Sequence, residues 1–409
     1  MMGRPAGRRR MARRLGAALV GVTAAAALLP ATAGPAAGAT VPTPQSDAFY
    51  QAPSPLPVAT PGTVLRSRPV TIAFLGIAVP VQAWQLMYRS TDAQGQPAVD
   101  IATVVEPTGP APAGGRPLVS YQAAEDSLSQ VCSPSYGMRL GLEKEESLMA
   151  LALLQGWALV VPDYEGLQSE WTAGAQEGHA VLDGVRAAEG FQPAGLAGAA
   201  TAVGLWGYSG GGQASAWASE LQPAYAPEVH LAGVAEGGVP VNVGDVADLV
   251  DGTAFSGIYL AAAVGLSRAY PQMNINSILN PAGRAMVADI GTQCILTFAP
   301  LYAFQRIEQY TVGGVNPLNL FPVQAVITTD ALGQARPAGP LYIYQSVNDE
   351  LVGHTDVDAL VHHYCSQGVT VDYDRDVLSE HIILAVTGAP GAVAYLADRF
   401  AGKPAPSTC

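Results

Sequence analysis

The five residues Gly207-Tyr208-Ser209-Gly210-Gly211 constrain this chain more than any other stretch. They follow an apolar run, Ala202 to Trp206, and precede a helix-like one, Gln213 to Leu221. A serine on a sharp strand-to-helix turn presents its hydroxyl at the top of a sheet. Small flanks are required because the turn strains the backbone and the helix must pass close to the strand. In a chain with 45 glycines the pentad alone also suits an ordinary glycine-rich turn. The strand before it and the helix after it favour a nucleophile elbow.

Strands and helices alternate around this turn. Gln82 to Arg89 and Ala98 to Glu106 read as strands joined by a hairpin at Asp92-Ala93-Gln94-Gly95. Leu118 to Gln122 and Trp157 to Val161 read as short apolar strands, with a helix over Glu143 to Leu154 between them. A helix over His179 to Glu189 comes before the elbow, and a strand over His230 to Ala235 comes after it. The rhythm breaks near Gly237. It resumes with the strand Leu341 to Val347, a helix over 356–366, the strand Val369 to Tyr373 and a helix over Ile382 to Phe400. Such alternation predicts a mostly parallel central sheet with helices on both faces. With the elbow it predicts an α/β-hydrolase fold carrying an inserted helical lid. The expected organisation is a signal peptide over 1–39, an extended N-terminal arm over 40–62, core over 63–242, lid over 243–336 and core again over 337–409.

Six arginines between Arg4 and Arg14, an apolar run from Leu15 to Leu29 and small residues up to Ala39 make the signal peptide. The run is short for a membrane anchor, so an exported chain without an integral membrane segment is expected. Without those arginines the chain keeps 14 of its 20 basic residues against all 33 acidic ones, a net charge of −19. Such a surface argues against nucleic acid and anionic membranes as partners. Four cysteines, Cys132, Cys294, Cys365 and Cys409, suggest two disulfides in an oxidising compartment, with three pairings open. No close ligand pair such as C-x-x-C is present, so neither a metal nor a cofactor is expected.

An activated serine needs a base within hydrogen-bond reach and an acid to orient that base, in this fold in the order serine, acid, histidine. Elimination serves among only six histidines. His179 precedes the elbow and reads as a helix surface residue. His230 lies before any later strand that could supply the acid, and His354, His362 and His363 sit on or near the helix after the 341–347 strand. His381 follows the last strand and is the expected base. Asp349, directly after Leu341 to Asn348, is the expected acid, with Glu236 at the end of an earlier strand as its competitor. Asp356 and Asp358 read as first-turn helix residues. One oxyanion donor is the amide of Gly210; Gly114-Gly115 is a poor second, because it precedes its strand.

With this set in hand, the chain resembles the secretory lipase family of lid-bearing α/β-hydrolases. The matching pieces run in order: Ser120-Tyr121-Gln122 with Glu125-Asp126, Cys132-Ser133-Pro134-Ser135-Tyr136, Gly156-Trp157-Ala158, Asp163-Tyr164-Glu165-Gly166, Leu182-Asp183-Gly184-Val185-Arg186, the elbow, Asn348-Asp349-Glu350 and Glu380-His381. The resemblance implies an acyl-ester hydrolase using Ser209, Asp349 and His381, with Asp163 as second oxyanion donor beside Gly210. It also implies a Cys132–Cys294 disulfide, leaving Cys365 with Cys409. The expected substrate is a small-molecule or lipid ester, met in transient contact with a lipid interface. A short-chain carboxylesterase, a serine peptidase and a catalytically silent binding protein are the rivals. The peptidase lacks its usual large N-terminal domain, and the silent protein usually lacks a triad member, whereas all three candidates are present here.

Overall fold

In the computed structural model, residues 41–112 and 114–409 are described; the expected signal peptide lies outside them. Eleven strands occur in this range: β1 (Val64–Pro69), β2 (Ala73–Phe74), β3 (Ile77–Ala78), β4 (Val81–Thr91), β5 (Pro97–Pro107), β6 (Leu118–Gln122), β7 (Ala158–Pro162), β8 (Val203–Tyr208), β9 (Leu231–Gly237), β10 (Leu341–Ser346) and β11 (Val371–Asp376). Nine of them form one sheet in the order β1-β4-β5-β7-β6-β8-β9-β10-β11, and β2 pairs with β3 in a separate ribbon. From β7 to β11 every neighbour pair is parallel, while β1, β4 and β5 add an antiparallel edge. The hairpin turn is held by the Asp92 carboxylate, which accepts from the amides of Gln94 and Gln96 at 2.9 and 2.7 Å.

The helices are α1 (Pro134–Leu140), α2 (Glu146–Leu154), α3 (Gly174–Gly190), α4 (Gly210–Tyr225), α5 (Val243–Val250), α6 (Ser256–Ala269), α7 (Ile275–Ile278), α8 (Pro281–Ile290), α9 (Ile295–Leu301), α10 (Phe321–Thr329), α11 (His354–Ser366), α12 (His381–Thr387) and α13 (Ala389–Phe400). Strands β6, β7, β8 and β10 are buried along their whole length, as continuous apolar runs require. Alternate residues face opposite cores. Leu118, Val160 and Leu205 pack with α3 and α4, while Val119, Val161 and Trp206 pack with α2 and α13. Between β9 and β10 the chain forms α5 to α10 and, among the described residues, one isolated bridge, Leu279 with Thr311.

Three expectations change. Residues 382–400 do not form one helix: α12 and α13 meet at a 43° bend. A side chain at Gly388 would enter the Tyr344 ring, and Pro390 has no N–H to continue the ladder. The N-terminal arm is not wholly extended. It makes a 3-10 turn at Ala48–Tyr50 whose Phe49 and Tyr50 are buried with Met87, Ile101 and Tyr136. Arg68 fixes that turn, stacking 4.2 Å above Phe49 and pairing with Asp47 at 2.8 Å. His179 is not a surface residue; its ring packs 4.3 Å from Tyr225 and burial lowers its pKa.

Two disulfides join Cys132 to Cys294 and Cys365 to Cys409, across 162 and 44 residues. The first ties the segment after β6 to the insertion, the second ties α11 to the C-terminus. On chain entropy the longer loop stabilises by about 5 kcal/mol and the shorter by about 4, with measured values often smaller. Replacing Cys132 and Cys294 by serine together is expected to lower the thermal midpoint at least as much as replacing Cys365 and Cys409, in melts under non-reducing conditions.

Folding also buries carboxyls whose desolvation outweighs any nearby cation. Glu236 is fully buried on β9 with neither side-chain oxygen hydrogen-bonded; burial, then Glu220, pushes its pKa up to about 8. Burial likewise pushes Asp163 and Glu145 up to about 7. Each therefore binds its proton more tightly folded than unfolded. The stability they contribute is complete below the unfolded carboxylate range near pH ~4 and is lost as pH rises through about 7 to 8. Thermal melts should show a higher midpoint at about pH 5 than at about pH 8.5, and Glu236→Gln should flatten that slope.

Candidate active site

The elbow is made possible by missing side chains. Ser209 sits between β8 and α4 at φ 56° and ψ −121°, a strained conformation for a residue with a β-carbon. Its amide donates to the Gly237 carbonyl at 2.9 Å. A β-carbon at Gly207 would strike the Gly211 carbonyl, one at Gly211 the Gln122 carbonyl, and one at Gly212 the Gly237 carbonyl. Helix α4 thus lies directly on β6, β8 and β9. Ser215 adds a bond to β6, its hydroxyl donating to Gln122 Oε1 at 2.7 Å. The N-terminal end of α4, with its positive dipole, starts at the serine.

The other two residues arrive on loops clamped to each other. Ser346 Oγ, at the end of β10, donates to the Ser379 carbonyl at 2.6 Å, and Asn348 Nδ2 donates to the same oxygen at 3.2 Å. Glu380 caps α12, accepting from the amides of Ile382 and Ile383 at 2.8 and 2.9 Å. His381 is therefore presented on the first turn of the helix, and Tyr208 Oη donates to its carbonyl at 2.7 Å.

His381 Nε2 lies 2.9 Å from Ser209 Oγ, and Nδ1 lies 2.7 Å from Asp349 Oδ2. The Asp349 carboxylate also accepts from the amides of Leu351 and Val352 at 3.0 and 2.7 Å and from Gln345 Nε2 at 2.9 Å. With so many donors aimed at it, the group acts as an acceptor. That places the imidazole proton on Nδ1 and leaves Nε2 to accept the serine proton. Asp349 and His381 are buried while the serine is half-buried. The competing acid, Glu236, hydrogen-bonds to nothing among the described residues.

Asp163 does not stand where the resemblance implied. Its amide donates to the Ile101 carbonyl at 2.8 Å within the β5–β7 ladder, and its carboxyl takes the amide and hydroxyl of Ser135 at 2.9 and 2.5 Å. No donor remains for an oxyanion. Asp126 occupies the position instead. It follows β6, which adjoins the elbow strand, whereas β7 lies one strand farther out. Its φ is 49°, and a β-carbon on Gly210 would strike its carboxyl. The amides of Asp126 and Gly210 bond to no acceptor among the described residues. Burial, opposed by Lys144 and then His381, raises the Asp126 pKa, favouring a neutral carboxyl that does not repel negative charge. The signal was present in Glu125-Asp126, directly after a predicted strand, but not the strand order that gives it meaning.

Ser209, Gly210, Asp126 and His381 open into an apolar cavity of about 120 Å³, walled by Ile258 and Ala262 of the insertion. A second cavity adjoins it, lined by Leu266, Met273 and Val323. Along α6, Ile258, Tyr259 and Ala262 line the first cavity and Leu266 the second, while Phe255, just before the helix, lines neither. Leu378, Ile382 and Ile383, near the histidine in sequence, and Leu296, Leu301 and Phe304 of the insertion are exposed, and Ile382 lines the first cavity. No group of side chains that could hold a metal ion occurs among the described residues.

The family profile for secretory lipase matches residues 130–408. Lipase A of Arthroderma benhamiae is 38% identical over 88% of this chain and 80% of its own length. A Mycobacterium tuberculosis protein named "Probable inactive lipase" is 39% identical over 88% of this chain and 83% of its own. Among solved structures, Candida antarctica lipase A superimposes with a TM-score of 0.84 at 30% identity, covering 91% of this chain and 89% of that one.

Proposed function

Because this chain belongs to the secretory lipase family, we propose that it is an exported serine hydrolase that cleaves the carboxylic esters of acyl lipids. The observation that carries this reading is the unbroken line of hydrogen bonds from Asp349 through His381 to Ser209, ending at the mouth of an apolar cavity. Ser209 attacks the ester carbonyl while His381 Nε2 takes its proton, and Asp349 holds the imidazole tautomer and offsets the imidazolium charge. The amides of Gly210 and Asp126 hold the oxyanion, helped by the dipole of α4. His381 then protonates the leaving alcohol, and water attacking by the reverse path frees the acid. One relative's name marks it as inactive; the complete triad here supports an active enzyme.

Helices α5 to α10 act as a lid that supplies the acyl wall. What supports this is that the insertion leaves after β9 and returns before β10 and that its Ile258 and Ala262 line the cavity at Ser209; a dry apolar wall strengthens the oxyanion contacts. The exposed apolar side chains Leu378, Ile382, Ile383, Leu296, Leu301 and Phe304 suit transient contact with a lipid interface. Two disulfides fit export to an oxidising compartment.

Ser209→Ala or His381→Ala should reduce turnover of p-nitrophenyl esters by roughly 10⁴-fold or more, and Asp349→Asn by about 10³–10⁴-fold. Ser209→Ala should also abolish labelling by a fluorophosphonate probe. Ordinary activity in Ser209→Ala, or failure of the parent enzyme to react with the probe, would overturn the assignment. Because Ala262 faces both cavities, Ala262→Trp should shift preference toward shorter acyl chains while acetate-ester turnover changes only a few fold. An unchanged chain-length profile would show that the acyl group lies elsewhere.

A further inference from the structure

The loop after β6 carries the Asp126 amide, yet no backbone group of residues 124–128 bonds to another backbone group among the described residues. Side chains hold this loop instead. Ala124, which is buried, is taken by both of its polar groups. Its amide donates to Glu145 Oε1 at 3.2 Å, and its carbonyl accepts from Lys144 Nζ. Farther along, the Glu125 amide donates to Tyr164 Oη at 3.3 Å and the Ser127 amide to Glu165 Oε1 at 3.4 Å, both long for such bonds. Lys144 lies at the surface, but its ammonium turns in to the Ala124 carbonyl, and a bond from a charged donor is stronger than a neutral one. Two residues adjacent in the chain thus grip one alanine from both sides.

The grip is tied to the elbow strand. Glu145 stands just before α2, with its amide donating to Glu143 Oε1 at 3.2 Å. Its Oε2 accepts from Tyr121 Oη at 2.8 Å. Tyr121 belongs to β6, and its ring packs edge-on against Trp206 of β8 at 4.9 Å, three residues before Ser209. On the other side, Ala124 lies two residues before Asp126, whose carboxyl stands where a β-carbon on Gly210 would go. Only Glu125 separates the gripped residue from the Asp126 amide, and one residue has little slack to absorb a shift. Neither Lys144 nor Glu145 lines the cavity at Ser209.

We propose that Lys144 and Glu145 are positioning residues for the oxyanion site, holding Ala124 so that the Asp126 amide meets the charge that develops on the ester oxygen. This rests on the ester-hydrolase reading above, with Asp126 as an oxyanion donor. The two side chains act through the backbone and touch no reacting atom. Full negative charge on that oxygen exists only once the serine has attacked, so a loosened grip lowers kcat rather than raising KM. Outright loss of one oxyanion donor costs about 10²–10³-fold in kcat. A donor displaced by about 1 Å costs up to about 10²-fold, and that range sets the expected effect.

The test compares three variants with the parent enzyme. Lys144→Met removes the donor and keeps the stem, Glu145→Gln leaves one acceptor oxygen for two donors, and Lys144→Arg restores a charged donor. Exhaustive titration of Ser209 with a fluorophosphonate counts intact sites, so a partly misfolded preparation changes the count and not the rate per site. With p-nitrophenyl butyrate, kcat per site should fall by roughly 10- to 100-fold in Lys144→Met and Glu145→Gln, with KM staying within about threefold. The inhibition constant of an alkyl trifluoromethyl ketone, whose adduct with Ser209 carries the same oxyanion, should rise in proportion. Lys144→Arg should recover most of both losses. Unchanged kcat per site in Lys144→Met and Glu145→Gln, a loss confined to KM, or ketone binding that stays constant while kcat falls overturns the proposal and leaves the hydrolase reading intact. A parent enzyme that neither hydrolyses the ester nor reacts with the fluorophosphonate overturns both.

Discussion

Contact between bare backbones organises this protein. Helix α4 approaches β6, β8 and β9 so closely that Gly207, Gly211 and Gly212 each occupy a place where a β-carbon would meet a carbonyl oxygen. That approach sets the strained turn at Ser209 and brings the helix dipole to the serine. It also brings Gly210 against Asp126 on the neighbouring loop. The remaining parts of the site depend on this placement. The Asp349 and His381 loops, clamped together through Ser379, need only deliver one imidazole nitrogen to a position the elbow has already fixed. Enlarging any of these glycines would move the helix, and the serine and the amide of Gly210 would move with it.

Electrostatics around the site follow from burial more than from ion pairing. The chain is strongly acidic, and many of its acids lie inside. Glu125, Asp126, Glu165 and Glu177 are buried near one another, and burial raises the pKa of each. Burial thus favours the neutral form of each of these groups. Asp349 is the contrasting case. It is equally buried, but two amides, a glutamine and the imidazole all donate to it. The two carboxyls thus differ in setting: donors converge on Asp349, whereas Asp126 Oδ1 is buried with no hydrogen-bond partner among the described residues.

The insertion shows why a helical stripe alone is ambiguous. Phe255, Ile258, Tyr259, Ala262 and Leu266 share a helical spacing, yet four of them line cavities and one packs elsewhere. Periodicity says that a face is apolar; it does not say what the face is apolar for. Only the neighbouring elements decide whether a side chain closes on the core or stands open above a serine.

Much was legible in the sequence because the causes are local. Apolar runs of strand length, the glycine-flanked serine and the hairpin at Asp92 each express an interaction within a few residues. Such features gave the α/β fold with its mostly parallel sheet and the three residues that the structure brings into one hydrogen-bonded line. The second oxyanion position was not legible in this way. Asp163 and Asp126 both follow apolar strands, and nothing nearby in the chain tells them apart. The order β7-β6-β8 decides: it puts Asp126 beside the elbow and spends the Asp163 amide on β5. The break at Gly388 had the same origin, since the ring that excludes a side chain there belongs to Tyr344 on a distant strand. Sequence determined what each segment forms and which chemistry it carries, because propensity and patterning act over a few residues. Tertiary structure alone decided which groups meet and which stay unpaired, because those outcomes depend on strand order and on atoms far away in the chain.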